Sequence, residues 1–159
     1  MESVERIKTP RIVNKEFAHQ LTASVENYIN VRPMWWCEYD FRYVMTERDA
    51  IAEFNNYLLR ITKSTKAHIL PIASIGIKNC GLPHIHAVIC ADKRLVYDDV
   101  HMWRSGFSEQ RLYQFGNTGI EYLCDYARGH KYIPEYTPFC RHRGKCSSRG
   151  CIYQRGKEL

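Results

Sequence analysis

A chain of 159 residues is long enough for one domain with a sizeable core and short for two. With 45% hydrophobic and 25% charged residues it has the composition of an ordinary globular protein, and no stretch approaches the 18 consecutive apolar residues of a membrane-spanning helix. The net charge of +6 is uneven: residues 127–159 hold eight basic side chains against Glu135 and Glu158, and the two signs balance in residues 1–126.

Taken in order, residues 1–13 read as a loose arm without the apolar core and small-residue cleavage site of an export signal. With seven cysteines, an odd count, the expectation is reduced thiols in a cytosol rather than a disulfide framework. Asn14 is placed to cap a helix whose Phe17, Leu21, Val25 and Ile29 fall at helical spacing, ending before Pro33. From Met34 to Met45 the pattern alternates, with Cys37, Tyr39, Phe41 and Tyr43 on one face and Glu38, Asp40 and Arg42 on the other, which predicts a strand. Thr46 suits the N-cap of the next helix, in which Ile51, Phe54, Leu58 and Ile61 make a buried stripe.

Ala67 to Lys78 predicts a second strand, Asn79-Cys80-Gly81 a turn, and Gly81 to Cys90 an antiparallel return. In that return Ile85, Ala87 and Ile89 alternate with His84, His86 and Val88, so the two imidazoles emerge on one face, about 7 Å apart along the strand. Such a pair can hold one cation, although polar residues on a wet sheet face produce the same alternation. Residues 92–106 give no clear pattern, and Ser108 to Phe115 is expected as a short helix.

Thr118 to Gly129 predicts a helix with a Thr118/Glu121 capping box and a glycine stop. Its Ile120, Leu123, Cys124 and Ala127 form the buried stripe, so Tyr122 and Tyr126, one turn apart, lie on a different face with hydroxyls available to a site.

The final segment interleaves Arg128, Lys131, Arg141, Arg143 and Lys145 with Tyr132, Tyr136, Phe139 and Tyr153, a mixture suited to a nucleic-acid backbone and stacked bases. A solvated tail that keeps the protein soluble has the same composition. Cys140, His142, Cys146 and Cys151 supply zinc-ligand types, but their spacing contains no Cys-x-x-Cys knuckle, so free thiols are favoured over structural zinc.

A Gly-Leu-Pro run leading into His84-Ile85-His86, followed about 36 residues later by a helix with Tyr122-x-x-x-Tyr126, resembles the HUH endonucleases, particularly the small rolling-circle replication initiators of plasmids and viruses. The resemblance covers roughly residues 35–132, in strand-helix-strand-strand-helix order. It implies a single α+β domain with an RRM-like or ferredoxin-like antiparallel sheet of about five strands, the histidines central and helices on one face. Residues 1–132 would form the nicking domain and its helical arm, and 133–159 a basic tail.

The implied activity is cleavage and rejoining of single-stranded DNA at an origin hairpin or nick site. His84 and His86 would hold Mn²⁺ or Mg²⁺, with Mn²⁺ the better match to nitrogen ligands. Tyr122 would be the nucleophile, forming a 5′-phosphotyrosine, and Tyr126 a second nucleophile or assisting hydroxyl. The family often has lysine three residues after the nucleophile, where this chain has Asp125, so Arg128 or Lys131 would supply the helper cation. An acidic third metal ligand is missing from Ser74-Ile75-Gly76-Ile77-Lys78, and Glu38, Asp40, Glu121 and Asp125 are all open to that role. No Gly-x-x-x-x-Gly-Lys-Ser/Thr loop occurs, so a helicase would be a separate partner from the host or elsewhere.

Two other readings remain. Trp35, Trp36, Tyr39, Phe41 and Tyr43 on the sheet faces, with the basic tail, could bind single-stranded nucleic acid without cutting it. A histidine-triad hydrolase is opposed by Val88, which stands where the third histidine would be.

Overall fold

The computed structural model describes residues 18, 21–23, 25, 31–115, 119–123 and 130–133; at 119, 121 and 130–132 it describes the backbone alone. Five strands, β1 (Arg32–Asp40), β2 (Ile69–Ile77), β3 (Pro83–Ala91), β4 (Ser108–Leu112) and β5 (His130–Tyr132), form one antiparallel sheet in the order β4-β1-β3-β2-β5. Helices α1 (Glu47–Thr65), α2 (Tyr97–Val100) and α3 (Gly119–Leu123) complete the α+β domain. Among the described residues no helix is long and apolar enough to cross a membrane.

Local chemistry accounts for most of these elements. Thr46 caps α1 by accepting the Asp49 N–H at 3.1 Å, and Ala50, Phe54, Tyr57, Leu58 and Ile61 are its buried stripe. The β2–β3 hairpin closes through Gly81, whose φ of 83° suits glycine and whose N–H donates to Lys78 O at 2.8 Å. Gly76 then faces His84, and Ser74 faces His86, across the β2–β3 ladder.

Both faces of the sheet are covered, where helices on one face were expected. On one face Cys37, Tyr39, Ala73, Ile75, Ile85, Ala87 and Ile89 pack with the α1 stripe. On the other, Ile72, Val88 and Cys90 pack with Ala18, Leu21 and Val25 from the N-terminal helical residues and with Ile120 and Leu123 of α3. The histidine face is therefore partly covered: His86 is only 4% exposed, while His84, Glu38 and Asp40 keep contact with solvent.

Three boundaries differ from the sequence expectation. The strand predicted over residues 34–45 ends at Asp40, because the 103–107 segment folds over its end: Asp40 N–H donates to Phe107 O and Arg42 N–H to Ser105 O, both at 2.8 Å. Phe41 stays buried, but Tyr43 is 68% exposed rather than part of an apolar strand face. Ser108 to Leu112 is an edge strand on β1 instead of a helix; pairing with β1 outweighs the helical propensity of Glu109, Gln110, Arg111 and Leu112. The unpatterned region before it holds α2 and then Trp103, whose Nε1–H donates to Asp40 O at 3.0 Å and whose ring meets Phe41 and Tyr39.

Candidate metal centre

Because β1 and β3 are neighbours, Glu38 lies directly across from His86 and Asp40 across from His84. Cross-strand partners share a face, so four polar side chains from two central strands meet in one patch. Ligand atoms of Glu38, His84 and His86 all lie within 4.8 Å of one another, and Nε2 of His84 contacts Nε2 of His86. Two imidazole nitrogens and a carboxylate oxygen converging from rigid strands form a donor set suited to a first-row divalent ion such as Mn²⁺. Of the two candidate carboxylates whose side chains are described, Glu38 and Asp40, Glu38 is the one that joins the histidines.

Asp40 has a different place. Its Oδ1 is 2.7 Å from His84 Nδ1 and accepts from Lys78 Nζ at 2.6 Å. Partial burial acts to raise the Asp40 carboxyl, but the hydrogen bonds from Lys78 and His84 and their charge outweigh it and hold the group below its usual range. The carboxylate thus supports a histidine from outside the donor cluster, a common arrangement at protein metal sites.

Tyr122 comes to the same patch from α3, which is anchored by the buried Ile120 and Leu123. Its half-buried ring stacks on His86, with centroids 5.2 Å apart and planes 15° apart. Trp36, two residues before Glu38 on the same face of β1, meets both His86 and Tyr122 in T-shaped contacts, with centroids 5.9 Å and 5.8 Å away. Its Nε1 is 3.5 Å from Glu38 Oε1, long for a hydrogen bond.

His84, His86 and Tyr122, predicted from sequence, are thus brought together. Tyr126, Asp125, Arg128, Arg141, Arg143, Lys145, the Glu121 and Lys131 side chains and the Cys140, His142, Cys146 and Cys151 group lie outside the described residues. Sequence reasoning missed Lys78 and the role of Trp36 as a wall. The hairpin register places Lys78 two residues beyond Gly76, on the face of His84, so Lys78 was recoverable from the turn; the Trp36 contact needed the placement of α3.

Of the aromatic residues read as a stacking surface, Tyr43 is exposed and Trp36 partly so, and the other three are not free to stack. Trp35, Tyr39 and Phe41 are all buried. Trp35 Nε1–H donates to Leu95 O at 3.0 Å, and Tyr39 takes part in a buried chain in which Tyr57 donates to Val100 O at 2.7 Å.

No family model matches the chain, and no curated protein matches it. Among solved structures the chain is similar to the crystal structure of the hypothetical protein ORF119 from Sulfolobus islandicus rod-shaped virus 1, at 17% identity and a TM-score of 0.38, over 81% of this chain and 97% of that one.

Proposed function

We propose that this protein is a divalent-metal-dependent DNA nicking and joining enzyme of the HUH type, acting on single-stranded DNA to initiate and terminate rolling-circle-type replication. The observation that carries the reading is the stacking of Tyr122 on His86, at the edge of the Glu38, His84 and His86 cluster. A potential nucleophile and a metal-capable triad meet on one partly exposed face of the sheet.

Glu38, His84 and His86 hold the ion, and Asp40 braces His84. When bound, Mn²⁺ or Mg²⁺ draws charge from the non-bridging oxygens of the scissile phosphate. Trp36 and His86 flank the Tyr122 ring and limit its rotation, which favours one line of approach to phosphorus. The Tyr122 oxygen forms a bond to phosphorus as the bond to the 3′ oxygen breaks. The phenolic proton passes to solvent and the leaving oxygen takes one up, giving a 5′-phosphotyrosine and a 3′-hydroxyl. Attack by a 3′-hydroxyl reverses the step and rejoins the strand without ATP. Tyr126 is assigned as second nucleophile or assisting hydroxyl, and Arg128, Lys131, Arg141, Arg143 and Lys145 as backbone-binding cations. Unwinding falls to a separate helicase.

The test is incubation with end-labelled single strands spanning the origin of the replicon that encodes the chain, with Mn²⁺ or with EDTA, read on a denaturing gel. A metal-dependent covalent adduct is expected, abolished by Tyr122→Phe and by His84→Ala. Loss of the adduct in Tyr126→Phe alone would move the nucleophile by one turn. Tight, salt-sensitive binding with no adduct would leave a non-catalytic binding module, for which Tyr43 and Trp36 retain exposed ring surface while Trp35, Tyr39 and Phe41 are buried.

A further inference from the structure

We infer that Asp40, braced by Lys78, is a positioning residue that fixes which nitrogen of His84 carries the proton, and thereby presents His84 Nε2 as a lone pair toward Glu38 and His86. This inference rests on the metal-binding part of the proposed function and on none of its DNA chemistry. An ionised carboxylate only accepts hydrogen bonds, so the 2.7 Å contact between Asp40 Oδ1 and His84 Nδ1 requires a proton on Nδ1. In the neutral ring Nε2 then carries the lone pair, and Nε2 is the atom turned toward the His86 ring nitrogen.

Two features make Asp40 a fixture rather than an ordinary surface acid. Lys78 donates to the same Oδ1 at 2.6 Å, so the oxygen that meets His84 is held from a second side. The Asp40 main chain is held by three contacts: it lies opposite His84 in the β1–β3 ladder, its N–H donates to Phe107 O, and its carbonyl accepts from Trp103 Nε1. The crossing segment runs so close that a Cβ on Gly106 would overlap Asp40 O. The fixed backbone sets the Cβ of Asp40 opposite His84, and the Lys78 bond to the same Oδ1 holds the carboxylate turned toward Nδ1.

The test reads the tautomer directly, in the ion-free full chain. Histidine ¹⁵N correlation spectra at about pH 8, above the ordinary histidine range, should show His84 of the wild type protonated on Nδ1. Asp40→Ala should lose that preference and weaken Mn²⁺ binding, measured by calorimetry without DNA, about 10- to 100-fold. Asp40→Asn, whose amide oxygen can still accept from Nδ1–H, should retain the tautomer and part of the affinity, and Lys78→Met should weaken binding less than Asp40→Ala. A wild-type His84 protonated on Nε2 would overturn the inference with no substitution needed. So would a folded Asp40→Ala chain with unchanged spectra, or with a changed tautomer and an unchanged Mn²⁺ affinity. Failure of the proposed function appears elsewhere, as a chain with Nδ1-protonated His84 that binds Mn²⁺ but forms no DNA adduct.

Discussion

Glu38 and Asp40 are both acids on one face of β1, two residues apart, yet the neighbouring strand gives them different work. Glu38 lies across from His86 and reaches the donor cluster; Asp40 lies across from His84 and takes its Nδ1 side, outside that cluster. Their substitutions should therefore differ in kind. Glu38→Gln replaces an anionic ligand by a weak neutral one and should lower Mn²⁺ affinity by more than about 100-fold, beyond the usual loss for an outer partner. Because Gln keeps the shape and the strand position, the melting temperature of the ion-free chain should stay within about 2 °C of the wild type. Calorimetric titration with Mn²⁺ beside a thermal melt checks both statements, and an unchanged affinity would remove Glu38 from the site.

At the scale of elements, what could be read from the chain was what neighbours in sequence determine. The β3 alternation, the Thr46 cap and stripe of α1, and the turn ending at Gly81 each depend on residues a few positions apart, and each is present. What depends on distant segments was not legible. The end of β1 is set by a segment more than sixty residues later that contacts Asp40 through Trp103 and Phe107. Ser108 to Leu112 has an alternation too short and polar to outweigh its helical propensity, and its only buried side chain is Gln110. The meeting of Glu38 with the two histidines likewise followed from strand order, since it required β1 to lie beside β3. The hairpin offers a direct test of the local logic. Gly81→Ala places a Cβ at a left-handed φ of 83°, with Val44 Cγ1 at 3.3 Å, and should cost about 1–2 kcal/mol in chemical denaturation. No loss would mean that the turn relaxes to another geometry.

Across the molecule, the sheet separates two cores, and its cysteines follow that division. Cys37 lies in one core and Cys90 in the other, and burial raises both thiols, Cys37 to about 12 even after the opposing hydrogen bond with Tyr39; Cys80 sits exposed in the hairpin turn. Iodoacetamide at neutral pH should label Cys80 in the folded chain and reach Cys37 and Cys90 only after denaturation, as read by peptide mass mapping. Equal labelling of all three would contradict that burial. The placement of the donors has a thermodynamic consequence. Glu38, His84 and His86 stand on β1 and β3, and β3 is paired along both edges, by β1 and by β2. Strands so placed open mainly when the whole sheet opens, and an ion held between them is linked to global unfolding. At a free concentration 100 times its Kd, Mn²⁺ should raise the unfolding free energy by about 2.7 kcal/mol. That gain should appear as slower hydrogen exchange at the amides of Ala87 and Val88, well inside β3, as much as at the histidines themselves. With an ion bound there, a chelator would loosen the entire sheet, so metal supply would set the lifetime of the folded protein.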